Sequence, residues 1–168
     1  MDAARGTAGL HVVLVHPEIP PNTGSIARLC AATGVALHLV RPLGFSLEDR
    51  YLKRAGLDYW PHVDLHVHES WNEALASIAP RTLLCFSARA RHSYLAAPLA
   101  STAPTVLVFG SETGGLPPAI LAAHPEQTFC IPILTRHVRS LNLSNAVSIV
   151  VYETLRQRGL LASAGLAG

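Results

Sequence analysis

The sequence has only 3 cysteines among its 168 residues, and their placement excludes two kinds of structure. Cys30, Cys85 and Cys130 are far apart, lie in apolar segments and form no Cys-x-x-Cys pair. Neither a zinc site nor a disulfide framework is therefore expected. Isolated thiols are typical of proteins kept under reducing conditions, and we expect a cytoplasmic protein.

Long apolar runs are also missing from the sequence. No run approaches the ~18 residues that a transmembrane helix needs. The apolar stretch 10–15 is too short for the hydrophobic region of a signal peptide, and no small-residue cleavage site follows it. We therefore expect neither a membrane span nor a signal peptide.

Charge is the third property of which the chain has little. Charged residues make up 14% and hydrophobic residues 49%, which excludes a disordered chain and provides material for a core. The net charge of +2 permits a nucleic-acid partner without requiring one. Of the 13 basic residues 12 are arginine, the side chain suited to bidentate contacts with phosphate.

The pattern of apolar segments indicates one domain with alternating strands and helices. We expect a flexible leader over 1–9, one domain over 10–158 and a flexible tail over 159–168. Strands are predicted over 10–16, 35–40, 82–87, 105–109 and 128–131, and helices over about 23–33, 46–54, 71–78, 118–123 and 144–158. Such alternation predicts an α/β fold, with a mostly parallel sheet flanked by helices.

Helix start signals refine these limits. Asn22 or Thr23 is expected to cap the first helix, and Ser144 the last. Ser46 with Asp49 resembles a capping box that opens the helix over 46–54. In parallel sheets ligands bind beyond the carboxyl ends of the strands, so the segments after the strands are the candidates for function.

The segment 109–117 combines three glycines with a carboxylate. Gly110, Gly114 and Gly115 allow the backbone to approach a ligand closely, and Glu112 adds an acidic group. The spacing matches neither a phosphate-binding Walker loop nor a dinucleotide fingerprint. An ordinary tight turn explains the composition equally well.

Two further segments carry polar residues next to predicted helices. Within 131–146, polar side chains crowd against an apolar helix, and they need partners in protein, water or ligand: Arg139, Ser140, Asn142, Ser144 and Asn145. A helix-capping cluster explains part of this set. In 17–28, Asn22 lies at a helix start and Arg28 lies off the apolar face of that helix, as an ordinary solvated arginine also would.

Other chemistry is less well supported by the sequence. His62, His66 and His68 with Asp64 lack further ligand-type residues nearby, and no metal site is expected. No Gly-x-Ser-x-Gly sequence occurs, so a serine hydrolase is not indicated. A basic loop over 89–92 suits either a phosphate contact or plain solvation.

Four strings together resemble a known family. PEIPPNTGSIARLCAATG, RAGLDYW, VFGSETGGLP and IPIL with RSLNLSNAVSIVVYE occur in this order across 10–158. They resemble the SPOUT-class RNA methyltransferases, and most closely the tRNA (cytidine/uridine) 2′-O-methyltransferases that modify the wobble nucleotide. The resemblance implies a C-terminal trefoil knot, with S-adenosylmethionine bound in it, and a homodimer with active sites at its interface.

The resemblance also implies roles for particular residues. The catalytic residue facing the RNA would be Arg28, supported by Asn22, Glu112 and Ser144. The cofactor contacts would be Phe86, Gly110, Ile131 and Ser140, with Leu141 and Asn145 close by. The stretch 134–138 has no family pattern that assigns it a role.

These implications lead to an expected function. The chain is expected to methylate the ribose 2′-hydroxyl of the wobble pyrimidine in a tRNA anticodon loop, without a metal. Arg28 would act as an electrostatic clamp, because a guanidinium stays protonated and is a poor base. Apolar residues of the last helix, notably Ile149, Val150 and Val151, agree with a homodimer. The alternatives are action on another tRNA position or on ribosomal RNA, and a catalytically silent RNA-binding module.

Overall fold

Seven parallel strands form the centre of the computed structural model, which describes residues 7–48, 50, 52, 54 and 58–162. The strands are β1 (Leu10–Val15), β2 (Ala36–Val40), β3 (Leu65–His68), β4 (Thr82–Phe86), β5 (His92–Ser93), β6 (Thr105–Phe109) and β7 (Thr128–Cys130). Their order across the sheet is β3-β2-β1-β6-β4-β7-β5, and every pair is parallel. Strands β2 and β6 are buried along their whole length, as expected for strands covered on both faces.

Helices cover both faces of this sheet. The helices are α1 (Pro20–Thr33), α2 (Trp71–Ile78), α3 (Pro118–Ala123) and α4 (Leu143–Gln157). One apolar core contains side chains of α1 and α4, and a second core on the other face contains side chains of α2 and α3. Among the described residues, each helix falls short of the length and apolarity that crossing a membrane requires.

The C-terminal strands are interleaved along the chain. From β4 the chain passes to the edge at β5, returns to the other side of β4 as β6, and then inserts β7 between β4 and β5. The end of α4 is tied to the β5–β6 connection, since the Arg158 guanidinium donates to the Leu99 carbonyl at 3.3 Å and to Thr105 Oγ1 at 3.0 Å. This interleaving agrees with a knot, in which the last segment passes through a loop closed by earlier ones.

The first helix begins earlier than its sequence predicts. Its N-cap is Ile19 rather than Asn22 or Thr23, and Pro20 and Pro21 form its first turn. Proline is tolerated there because the first N–H groups of a helix have no partner within it. The prediction was wrong because two adjacent prolines indicate a turn as well as a helix start, and the sequence alone does not decide between the two.

The last helix also has a different cap, and less of its apolar surface is free than the sequence predicts. Its N-cap is Asn142, whose side chain accepts hydrogen bonds from backbone N–H groups, so Ser144 is not the cap. Val150 and Val151 are fully buried by the protein's own core. Ile149 and Tyr152 remain exposed, by 36% and 45%.

Three of the predicted elements have the predicted limits, and one short strand was not predicted. The limits of α2, α3 and β6 are those that the sequence predicts. The basic loop over 89–92 ends in the two-residue strand β5, which is too short to show a period in the sequence. The predicted helix over 46–54 includes Asp49 and other positions that lie outside the described residues.

The ends of the domain are held by local contacts. In the expected leader, Thr7 is buried and its hydroxyl donates to the Gly34 carbonyl at 3.1 Å. In the expected tail, the Leu160 N–H donates to the Leu155 carbonyl at 3.0 Å. Residues 1–6 and 163–168 lie outside the described part of the chain, and the domain limits remain a prediction.

A chain of hydrogen-bonded histidines joins the first three strands. His11 Nδ1 lies 3.0 Å from His38 Nε2, and His38 Nδ1 lies 2.9 Å from His68 Nε2. His68 Nδ1 lies 4.0 Å from a Glu73 carboxylate oxygen, which favours a proton on that nitrogen. All three rings then carry the proton on Nδ1, so each neutral ring donates to the next.

The surroundings of the histidine chain disfavour protonation. Burial, with the neighbouring His11, His66 and His68, lowers the pKa of His38 to about 3. Burial also lowers the pKa of His11 and that of His68, although Asp64 and Glu73 oppose the shift. The sequence pattern drew attention only to the histidines between 62 and 68, whereas two of the three rings in the chain, His11 and His38, come from other strands.

We predict that the histidine chain makes the protein less stable in mild acid. A folded-state pKa below the unfolded value of 6.5 means that the stabilisation is complete above pH 6.5 and is lost as the pH falls toward 3. For His38 alone the loss between about pH 7.5 and about pH 5 is about 2 kcal/mol in the free energy of unfolding.

Urea unfolding at both pH values measures this loss. The variant His38→Gln, which does not titrate, is expected to show a smaller difference between the two pH values than the wild type. The same substitution at the exposed His62 is the matched control. An unchanged pH difference in His38→Gln would contradict the prediction.

Candidate functional site

The glycine-rich loop after β6 folds back on itself as a tight turn. Ser111 and Gly115 exchange two backbone hydrogen bonds, at 3.1 and 3.0 Å, and Gly115 has a φ of +68°. A Cβ atom on Gly110 would lie 2.0 Å from the Gly115 carbonyl carbon. Glycine is therefore required at 110 by the loop's own backbone, whether or not a ligand approaches there.

Glu112 ties this loop to the start of α1. Its carboxylate accepts hydrogen bonds from the backbone N–H of Glu18 at 2.7 Å, from the N–H of Ile19 at 3.0 Å and from Asn22 Nδ2 at 3.4 Å. Pro20 and Pro21 have no N–H, so the last free amides before the helix are those that Glu112 binds. A carboxylate at a helix N-terminus is also favoured by the helix dipole.

The same network continues to α4. Asn142 Nδ2 donates to Asn22 Oδ1 at 3.1 Å, and Asn142 Oδ1 accepts from the Ser144 hydroxyl at 2.6 Å and from the Ser144 N–H at 2.9 Å. We call Asn22, Glu112, Asn142 and Ser144 the strand-end cluster. Asn22, Glu112 and Ser144 were predicted as catalytic-site residues, and the structure brings them together. Glu112 bonds to Asn22 directly, and Asn142, which had no predicted role of its own, links Asn22 to Ser144.

Arg28, the fourth predicted catalytic residue, lies apart from the strand-end cluster. It follows Asn22 by six positions on α1, which places it about 9 Å along the axis and about 120° around it. Its side chain is exposed, and its guanidinium carbon lies 4.7 Å from the centre of the Tyr59 ring. A single copy of the chain therefore presents Arg28 and the cluster on different surfaces.

The predicted cofactor residues lie at the carboxyl ends of the neighbouring strands β4, β6 and β7. The Phe86 ring is buried and stacks on Phe109 with centroids 5.0 Å apart, so this ring faces the core. Ile131 is half-buried, and Leu141 is 37% exposed at the end of the loop that follows β7. Ser140 and Asn145 are exposed nearby.

These residues fit S-adenosylmethionine by their chemistry. The adenine ring needs apolar contacts, which Ile131 and Leu141 offer, and backbone N–H and C=O groups at its edge. The amino acid part needs polar groups such as those of Ser140 and Asn145. Leu134, of unassigned role, is 94% exposed, so the loop also has apolar surface without a partner in the single chain.

Exposed arginines surround this edge of the molecule. Arg89 and Arg91 line a cleft of about 350 Å³ beside the end of β4 and the start of β7, together with His92. Arg136 and Arg139 are exposed on the loop after β7, and Arg54 is exposed elsewhere, while Lys53 lies outside the described residues. Exposed cations of this kind suit contacts with nucleic-acid phosphates.

The chain matches a family model over most of its length. Residues 9–152 match the model of the SpoU rRNA Methylase family. A curated relative from Methylovorus glucosotrophus (strain SIP3-4) is 49% identical over 149 residues, which cover 87% of this chain and 94% of the relative. That relative is named tRNA (cytidine(34)-2′-O)-methyltransferase.

Solved structures support the same assignment. A structure described as giving insights into the 2-OH methylation of C/U34 on tRNA has a TM-score of 0.80 and 49% identity, over 88% of this chain and 95% of the other. The SpoU methyltransferase AviRb from Streptomyces viridochromogenes, solved with AdoMet, has a TM-score of 0.73 and 26% identity, over 88% of this chain and 60% of the other. The expected fold class, the parallel α/β sheet of the knotted methyltransferases, is confirmed.

We predict that Asn142 stabilises the fold by capping α4. Asn142→Ala removes both the cap and the bond to Asn22, and is expected to lower the free energy of unfolding by about 1–2 kcal/mol. Asn142→Asp is the matched control, because it keeps the capping oxygen but loses the donor to Asn22. Urea unfolding should therefore rank wild type, Asp and Ala in that order, and equal stability of the Ala variant and the wild type would contradict the assignment.

Proposed function

The chain belongs to the SpoU rRNA methylase family, and on this basis we propose that it is a tRNA 2′-O-methyltransferase that modifies the ribose of a wobble pyrimidine. The observation that carries the proposal is the 49% identity to the relative from Methylovorus glucosotrophus, which extends over 94% of that relative. The extent of the similarity matters because the family model matches residues 9–152, which include all three loops of the candidate site. The intact strand-end cluster and the exposed Arg28 favour an enzyme over a silent binding module.

S-adenosylmethionine is the methyl donor of this reaction. When bound, it supplies a methyl group on a sulfonium, which is electrophilic without a metal. We assign its binding to Gly110, Ile131 and Ser140, with Leu141 and Asn145 beside them, while Phe86 supports this place from the core. The tight turn at 110–115 and the loop after β7 would hold the donor in line with the acceptor oxygen, and such alignment is a large part of catalysis.

The strand-end cluster supports the site by holding these loops. The Glu112 carboxylate has about four acceptor positions, and three are taken by N–H donors, so it is poorly placed to accept a substrate proton. Asn22 and Ser144 are engaged in the same network. Their role is therefore to fix the β6 loop and α4 relative to each other.

Arg28 contributes the positive charge. Its guanidinium stays protonated, so it stabilises a phosphate or the developing 2′-alkoxide rather than accepting the proton. Arg28 and the strand-end cluster lie on different surfaces of one chain. We therefore infer a homodimer in which Arg28 of one copy reaches the cofactor loops of the other.

Recognition of the tRNA is assigned to this one domain and its dimer mate. Proteins read RNA sequence mainly in single-stranded loops, where bases are accessible, and an anticodon loop is such a target. The exposed arginines at 89, 91, 136 and 139 would bind its phosphates. We infer a cytoplasmic location from this substrate, and the three free thiols agree with it.

We predict that the purified protein adds one 2′-O-methyl group to nucleotide 34 of a tRNA with a pyrimidine there. The measurement is incubation of unmodified tRNA with S-adenosylmethionine, followed by nuclease fragmentation and mass spectrometry. Arg28→Ala is the control variant, and it is expected to bind the cofactor normally while losing methyl transfer. Methylation found only outside the anticodon loop, or only in ribosomal RNA, would refute the substrate and leave the chemistry in place.

We predict that the exposed face of α4 forms part of the dimer interface. Ile149 and Tyr152 are neighbours on one side of the helix, and a glutamate at either position would place a charge in an apolar contact. Sedimentation of the variant Ile149→Glu/Tyr152→Glu should show a monomer, while Ala123→Glu, an exposed position on α3, should remain dimeric. A wild-type protein that sediments as a monomer at micromolar concentration would overturn the homodimer.

A further inference from the structure

The string RAGLDYW contributes to the family resemblance, yet none of its residues has an assigned role. The structure places Tyr59 from this string beside Arg28. The guanidinium carbon of Arg28 lies 4.7 Å from the centre of the Tyr59 ring, within the range of a cation–π contact. This contact joins α1 to the segment between β2 and β3, and the proposed reaction gives that segment no role.

Contact with the face of an aromatic ring is a special way to hold an arginine. A guanidinium has five N–H donors, and a contact of its carbon with a ring face needs no hydrogen-bond acceptor. Within the described part of the chain, Arg28 forms no salt bridge and no hydrogen bond that would occupy those donors. The contact with Tyr59 therefore fixes the orientation of Arg28 without using the groups that would bind an anion.

Arg28 and Tyr59 both line a surface cleft. The cleft has a volume of about 360 Å³ and is lined by Arg28, Ala31, Ala32, Tyr59 and His62. Two of the lining residues are alanines, with small side chains, and the Arg28 side chain is exposed, so its N–H groups are accessible to an incoming molecule. Trp60, the residue after Tyr59, packs partly against the apolar core.

We propose that Tyr59 is a positioning residue for the methyl-transfer reaction, because its ring holds the Arg28 guanidinium in the orientation that meets the RNA. This inference rests on the proposed function. An unsupported arginine has a long flexible stem with high rotamer entropy, and it would have to be ordered anew at each encounter with substrate. The ring provides that order in advance, and its hydroxyl is not needed for the contact.

The contact itself is tested by nuclear magnetic resonance on the full-length protein labelled with ¹⁵N-arginine. The Nε–H signal of Arg28 is identified by its loss in Arg28→Lys. In the wild type we expect an upfield ring-current shift and restricted motion for this signal. Both features should persist in Tyr59→Phe, which keeps the ring, and should disappear in Tyr59→Leu, which removes it.

The catalytic consequence is tested by steady-state kinetics with tRNA. Tyr59→Leu is expected to lower kcat roughly tenfold, the rate equivalent of a lost cation–π contact, while the KM for S-adenosylmethionine stays unchanged. Tyr59→Phe should keep most of the wild-type kcat. A double-mutant cycle on tRNA affinity adds a check, because Tyr59→Leu should weaken binding in the wild type but not in Arg28→Ala.

The outcomes separate this inference from the proposed function. An Arg28 signal that is the same in the wild type and in Tyr59→Leu overturns the positioning role, whatever the activity. Equal losses of tRNA affinity in the wild-type and Arg28→Ala backgrounds also overturn it, since Tyr59 would then act on the fold. A wild type inactive on tRNA, with an Arg28 signal that depends on the ring, refutes the proposed function and leaves the contact standing.

Discussion

The Glu112 carboxylate holds the candidate site together. It binds two backbone amides and one side-chain amide from the start of α1, although it is 90 to 94 residues away from them in the chain. Asn22 in turn accepts a hydrogen bond from Asn142, which lies 120 residues after Asn22 in the chain. Without these bonds the loops after β1 and β6 and the start of α4 would be three independent surface segments.

This restraint has a consequence for how the reaction is divided between surfaces. The donors and acceptors of the cluster satisfy one another, so the cluster gives rigidity and leaves little capacity for acid–base chemistry. The charge that we assign to the reaction is on Arg28, about 9 Å away along the axis of α1 and turned to another side of the helix. The proposed dimer would reconcile the two, because one copy would offer a rigid cofactor site while the other would offer a pre-oriented cation.

Chemistry and substrate are supported by different parts of the molecule. The parallel sheet, the tight turn at 110–115 and the strand-end cluster hold the loops to which we assign cofactor binding. The exposed arginines and the cleft beside Tyr59 lie at the surface, where RNA would meet the protein. Substitutions in the sheet, the turn or the cluster should affect folding and cofactor binding, and substitutions of the exposed arginines or in the cleft should affect RNA binding.

The sequence by itself determined the elements whose signals are local. The limits of α2, α3 and β6 follow from apolar periodicity and flanking Gly, Pro and Ser residues, and the α/β class follows from their alternation. Asn22, Glu112 and Ser144 could be named from motif strings. The caps of α1 and α4 were misjudged, because Pro20 and Asn142 each carry two competing signals and only the packed helix selects between them.

Only the tertiary structure decided which of these residues meet. The bond from Glu112 to the start of α1, the histidine chain across β1, β2 and β3, and the ring of Tyr59 beneath Arg28 all join segments distant in sequence. Apolar periodicity in the sequence does not indicate such contacts, because they depend on strand order and on the direction of each side chain. Apart from the family resemblance, the local pattern around Arg28 is that of a solvated arginine for the same reason: its partner is on another element, and local spacing does not indicate a ring contact.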